Sequence, residues 1–152
     1  MTRSMPNAVT SGSVAASAHV DSTNGPSRRR TVAYWTSTLL LGTEGIVGGL
    51  LGIIRYPAYV GVLSHLGYPL YFMTIIGVWY TLAGVAVLAP RFPRVKEWAY
   101  AGLLINYTGA AASHMAAADP IGALVAPTVF TALTIASWAL RPAVRRLAGP
   151  QL

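Results

Sequence analysis

The chain has 152 residues, of which 54% are apolar and 10% charged, with a net charge of +7 and no cysteine. Soluble domains carry about a quarter charged residues, so an ordinary water-soluble globule is excluded, and the missing cysteines exclude disulfides, thiolate catalysis and cysteine-ligated metals or clusters. The positive charge does not indicate nucleic acid, because the basic residues flank apolar segments and no nucleic-acid motif is present; attraction to anionic lipid accounts for it.

Residues 1–30 are rich in Ser, Ala, Thr, Asn and Gly and end in Arg28, Arg29 and Arg30. They lack the continuous apolar core of a signal peptide. Such a segment buries too little apolar surface to offset its ordering entropy, and a disordered cytoplasmic tail is expected. A first apolar span follows over residues 31–54. A helix of that length rises about 36 Å, enough to cross a bilayer core of about 30 Å. The connection over residues 55–67 is rich in Tyr and Gly and has room for a short interfacial helix. A second span covers residues 68–89, stopped by Pro90 and Pro93, and a third covers 96–117, ending at Asp119 and Pro120. The fourth covers 121–140, with a second cytoplasmic tail at 142–152. The pattern predicts an all-α integral membrane four-helix bundle over residues 31–141.

Charge sorting orients it. Ten of the eleven basic residues fall in three clusters: Arg3 with Arg28–Arg30; Arg91, Arg94 and Lys96; and Arg141, Arg145 and Arg146. If each gap between clusters crosses the bilayer twice, all ten lie on one side, and Arg55 alone lies on the other. Basic residues concentrate on the cytoplasmic side, so a bacterial inner-membrane protein with both termini cytoplasmic is expected. Aromatics agree, since Tyr34, Trp35, Phe92, Trp98 and Trp138 fall at inner ends and Tyr56, Tyr59, Tyr68 and Tyr71 at outer ends.

Span one carries Gly42, Gly45, Gly48, Gly49 and Gly52, and span three carries Gly102, Gly109, Ala110 and Ser113. Small residues let helix backbones approach closely in lipid, so these two spans are expected to pack on each other. Within the bundle such packing competes with homo-oligomer formation.

Glu44 is the most informative residue. A carboxylate in mid-span is costly, so it must face the interior, find partners or hold its proton. Gly48, Gly52 and Arg55 are expected on its helix face by the helical repeat. Its candidate partners are Asn106, Tyr107, Tyr80, Thr128 and Thr131. At the outer end, Arg55, His65, His114 and Asp119 form a candidate polar cluster. Two histidines and a carboxylate are metal-ligand chemistry, but the spacing is no metal signature, and no metal is expected. The candidate ligand-binding set is therefore Glu44, Arg55, His65, Tyr80, Asn106, Tyr107, His114 and Asp119. Glu44 and His114 are the candidates for catalysis. Glu97 is expected to complement the dipole at the start of span three, and Pro127 to kink span four and free a carbonyl.

LGYPLYF at 66–72, KEWAYAG at 96–102 and SHMAAAD at 113–119, with Glu44 and the four-span layout, resemble the DoxX-like family of small bacterial membrane proteins. The resemblance covers residues 33–140 and implies a four-helix membrane bundle. Relatives called DoxD and DoxX are linked to quinone-dependent sulfur oxidation and membrane redox complexes. This chain carries no haem or dinucleotide motif, so no intrinsic cofactor is expected. A redox role would draw on quinone or on a redox partner subunit in the same bilayer. Three functions follow as expectations: an accessory protein binding a small, quinone-like lipophile around Glu44, Asn106 and His114; an enzyme using Glu44 and His114 for proton transfer; or a structural subunit of a larger complex.

Overall fold

The computed structural model describes residues 28–142. The expected tails at residues 1–27 and 143–152 lie outside the described residues. Five helices account for most of the rest: α1 (Arg28–Ile53), α2 (Pro57–His65), α3 (Leu70–Leu88), α4 (Pro93–Ala116) and α5 (Ile121–Leu140). No strand occurs among the described residues. Arg28, Arg29 and Arg30, expected to end the tail, instead form the first turn of α1.

Prolines set four of the five helix starts. Pro57 and Pro93 occupy the first turns of α2 and α4, and Pro69 and Pro120 precede α3 and α5. The fixed φ of proline suits entry to a helix, where its missing N–H costs nothing. Three helices end on a left-handed residue: Arg55 (φ 56°), Gly67 (φ 79°) and Ala118 (φ 56°). Behind each the chain folds back, with Tyr56 N–H donating to the Leu51 carbonyl at 2.9 Å, Tyr68 to Leu63 at 2.9 Å and Asp119 to His114 at 3.0 Å. These closures satisfy carbonyls that the helix end would otherwise leave open.

The four long helices close a ring, α1 touching α3 and α5, and α4 touching the same two. Helix α2 lies across one end, against α3 and α1. The closest pair is α1 with α3, where a Cβ added at Gly77 would come within 2.7 Å of the Gly49 carbonyl and one at Gly84 within 2.9 Å of the Gly42 carbonyl. The glycine face of α1 thus packs on α3, not on α4 as its small residues suggested. Gly77 and Gly84 complete the backbone approach, whereas a Cβ at Gly102 or Gly109 would meet nothing within 4 Å.

Leu41, Val87, Ala99, Tyr100, Leu103 and Tyr107 form the buried core. Large apolar side chains are also exposed all round, among them Leu39, Val47, Ile75, Trp79, Ile105, Ile121, Val125 and Ile135. That surface suits lipid. By length and composition three helices can cross a membrane, α1, α3 and α5, rather than the expected four. Helix α4 has the length, at 24 residues. Arg94, Lys96, Glu97, Asn106, Ser113 and His114 lower its apolar character.

Candidate functional site

Glu44 adjoins Gly45, whose backbone packs on Gly84 of α3, so its carboxylate is placed beside Tyr80 of α3. Tyr80 donates a short hydrogen bond to Glu44 Oε2, and Tyr107 of α4 donates to the same oxygen at 2.6 Å. The two tyrosine rings meet edge to face with centroids 5.8 Å apart, and Tyr107 stacks on Phe130 of α5 at 5.3 Å. Of the expected partners, Tyr80 and Tyr107 hold Glu44, whereas Thr131 bonds the Pro127 carbonyl at 2.8 Å. That bond gives the hydroxyl of Thr131 to the backbone on the proline turn of α5.

Glu44 forms part of the wall of a cavity of about 560 Å³ to which all five helices contribute. Gly48 and Gly52 of α1, Gly77 of α3 and Gly109 of α4 leave the room. Tyr59, Phe72, Tyr80, Tyr107 and Phe130 supply aromatic walls, and Asn106 and His114 add polar groups. Gly48 and Gly52 therefore do share a cavity face with Glu44. Arg55 does not, because α1 stops at Ile53 and the left-handed turn carries Arg55 off the helical repeat. Its Nε instead donates to Thr74 at 3.4 Å.

At the α2 end, Asp119 joins the two expected histidines. Its Oδ1 lies 2.7 Å from His65 Nε2 and its Oδ2 2.7 Å from His114 Nδ1. A carboxylate only accepts, so each imidazole presents an N–H to it. The left-handed Ala118 folds Asp119 back toward His114, five residues earlier. The hydrogen bond from His114, and then that from His65, hold the Asp119 carboxyl below its ordinary range. Nearby, Tyr68 and Ser113 share a 2.8 Å hydrogen bond. The expected cluster forms from His65, His114 and Asp119, with Arg55 outside it. Among the described residues no group of three His, Cys, Asp or Glu side chains converges on a metal position.

Two features carried no usable sequence signal. Tyr59, expected only as an interfacial aromatic, lines the cavity from α2 and faces Glu44; its partial burial and then the Glu44 carboxylate push its hydroxyl up. The opposite end holds a second polar network. Ser137 bonds Thr38 at 2.7 Å and Tyr100 at 2.8 Å, and buried Lys96 donates to the Val87 carbonyl at 2.5 Å. Glu97 belongs to that end. It pairs with Arg141 at 2.8 Å and accepts from Trp138 at 2.9 Å. It lies beyond the first turn of α4, which holds no acidic residue, so its role is to tie α4 to α5 rather than to complement a helix dipole.

Fold and site together define a small helical membrane protein with a cavity among its helices whose wall carries a carboxylate. The model of the DoxX-like family matches residues 36–137. The chain belongs to the DoxX-like family. No curated protein and no solved structure matches it.

Proposed function

We propose that this protein is a four-span inner-membrane protein, both termini cytoplasmic, that binds a small lipophile in the cavity beside Glu44. The observation that carries the reading is the cavity itself. Its volume of about 560 Å³ falls in the range of small-molecule sites, which are apolar with a few convergent polar groups. Glu44, Asn106 and His114 are those groups here, on otherwise apolar and aromatic walls. Helix α4 counts as the fourth span because its 24 residues reach about 36 Å, and its polar residues have partners or cavity to face. Lys96, Glu97, Ser113 and His114 all hydrogen-bond within the bundle.

A lipophile reaches such a site from the bilayer, and an accessory subunit could pass it to a membrane redox partner. A quinone-like ring fits the mixture of aromatic wall and hydrogen-bonding groups. Proton transfer to the ligand is the second reading, favoured by Glu44 and His114 lining one cavity.

The test is to purify the full chain in a mild non-ionic detergent, extract it and identify small molecules by mass spectrometry. A stoichiometric lipophile is expected with the wild type and not with Gly109→Leu, which fills open space at the wall. An equal yield from both proteins would overturn the assignment of the cavity.

A further inference from the structure

The hydrogen bonds of Glu44 say which charge the ligand carries, given the reading above that the cavity holds one. Both tyrosines donate to the same oxygen, Oε2. Oε1 receives no hydrogen bond among the described residues, and it is not sealed from solvent-sized space. It sits on the cavity side, 3.1 Å from where a Cβ on Gly48 would be. Two phenolic donors occupy both lone-pair positions of Oε2, so a further partner must come to Oε1. The group is then an acceptor with one oxygen unspent.

Among the described residues neither Lys nor Arg lines the cavity. Arg55 bonds Thr74, and Lys96 bonds the Val87 carbonyl at the far end of the bundle. His114 reaches the cavity but its Nδ1 is engaged by Asp119. What surrounds the carboxylate is aromatic: Tyr59, Tyr80 and Tyr107 near it, Phe72 and Phe130 beyond. Ring faces attract cations, more so when water is excluded. A half-buried carboxylate in mid-helix, with Oε1 unbonded, costs free energy that a cation would relieve. An anionic head would meet repulsion, and a neutral acceptor, which can bond Asn106, would leave Oε1 unbonded.

We propose that the cavity selects an organic monocation with an apolar body, an amphiphilic amine or onium ion, whose charge sits against Glu44 Oε1 inside the aromatic wall. The charged head pairs with the carboxylate while the body fills the apolar space toward α2 and α5.

Equilibrium dialysis of the full chain in a non-ionic maltoside tests this with three probes of similar shape. They are tetraphenylphosphonium, neutral triphenylphosphine oxide and anionic tetraphenylborate. The phosphonium should bind at least about tenfold more tightly than the neutral probe, and the borate should not bind. Glu44→Gln should lower phosphonium affinity to that of the neutral probe and leave the neutral probe unchanged. Gly109→Leu should abolish both, which locates binding in this cavity. If Glu44→Gln fails to fold, the wild-type preference for cation over neutral probe decides alone. Equal binding of the cation and the neutral probe would overturn the charge assignment and leave the lipophile site standing. Preference for the borate would do the same. Binding of none of the three would overturn both.

Discussion

Tyr107 on α4 donates a 2.6 Å hydrogen bond to Oε2 of Glu44 on α1, across 63 residues of sequence. The two helices lie diagonally across the ring and share little backbone contact, so a long side chain spans the gap. With Tyr80 on the same oxygen, Glu44 joins α1, α3 and α4 at one point. Truncation should therefore grade by how many donors are orphaned. Tyr107→Phe removes one donor while Tyr80 still satisfies the oxygen, and should cost about 1 kcal/mol. Glu44→Leu strands two phenols and should cost about 2 kcal/mol or more. Glu44→Gln keeps an acceptor oxygen in place and should melt close to the wild type. Thermal melts in detergent give the order. Equal melting of Glu44→Leu and the wild type would remove the junction from the account.

The α1–α3 contact makes a sharper steric prediction. A Cβ at Gly77 would meet the Gly49 carbonyl at 2.7 Å and the Ile53 nitrogen at 3.0 Å, both backbone atoms that cannot swing away. Gly77→Ala should force the helices apart and cost about 1–3 kcal/mol. Gly109→Ala adds a methyl where nothing lies within 4 Å and should be neutral or stabilising. A melting comparison of the two variants decides it, and equal effects would mean that α1 and α3 are not seated as described.

These two sites show what the sequence made legible. The stops before Pro90 and Pro120 follow from proline's fixed φ and missing N–H, which are local properties, whereas Pro93, expected to stop span two, opens α4 three residues before the expected start. Glu44 was legible because a mid-span carboxylate must be accommodated, and Tyr80 and Tyr107 were legible as nearby donors. Which helix meets the glycines of α1 was not, because small residues on α4 offer the same signal as Gly77 and Gly84 on α3. That choice rests on three-dimensional register. The place of Arg55 failed for a related reason: the helical repeat was extended past Ile53, through a left-handed turn that no local residue type announced. Tyr59 escaped because an aromatic near a helix end serves an interface or a cavity equally well.

Orientation is testable apart from any ligand. The basic clusters at the α1 start, the α3–α4 turn and the α5 end should all face the cytoplasm, with Arg55 and Asp119 outside. Reporter fusions active only in the cytoplasm should be active at both termini. A C-terminus that reports from outside would leave an odd number of crossings and remove α4 from the membrane.

The tie between α2 and the α4–α5 turn should be sensitive to acid. Asp119 accepts from His65 of α2 and His114 of α4, and these bonds hold its carboxyl below the ordinary value. A carboxyl lowered in the folded state contributes stability that is complete above its unfolded value, about 3.9. That contribution drains away as the pH falls from there through the lowered value. Hydrogen exchange at the amides of α2 should therefore accelerate, beyond the intrinsic pH effect, as pH drops below about 4. Asp119→Asn should show the faster exchange already at neutral pH and lose the acid-dependent step. The amides around Gly49 and Gly77, where α1 and α3 meet backbone to backbone, serve as the internal reference. If α2 exchanges alike in both proteins across this range, Asp119 does not tether it.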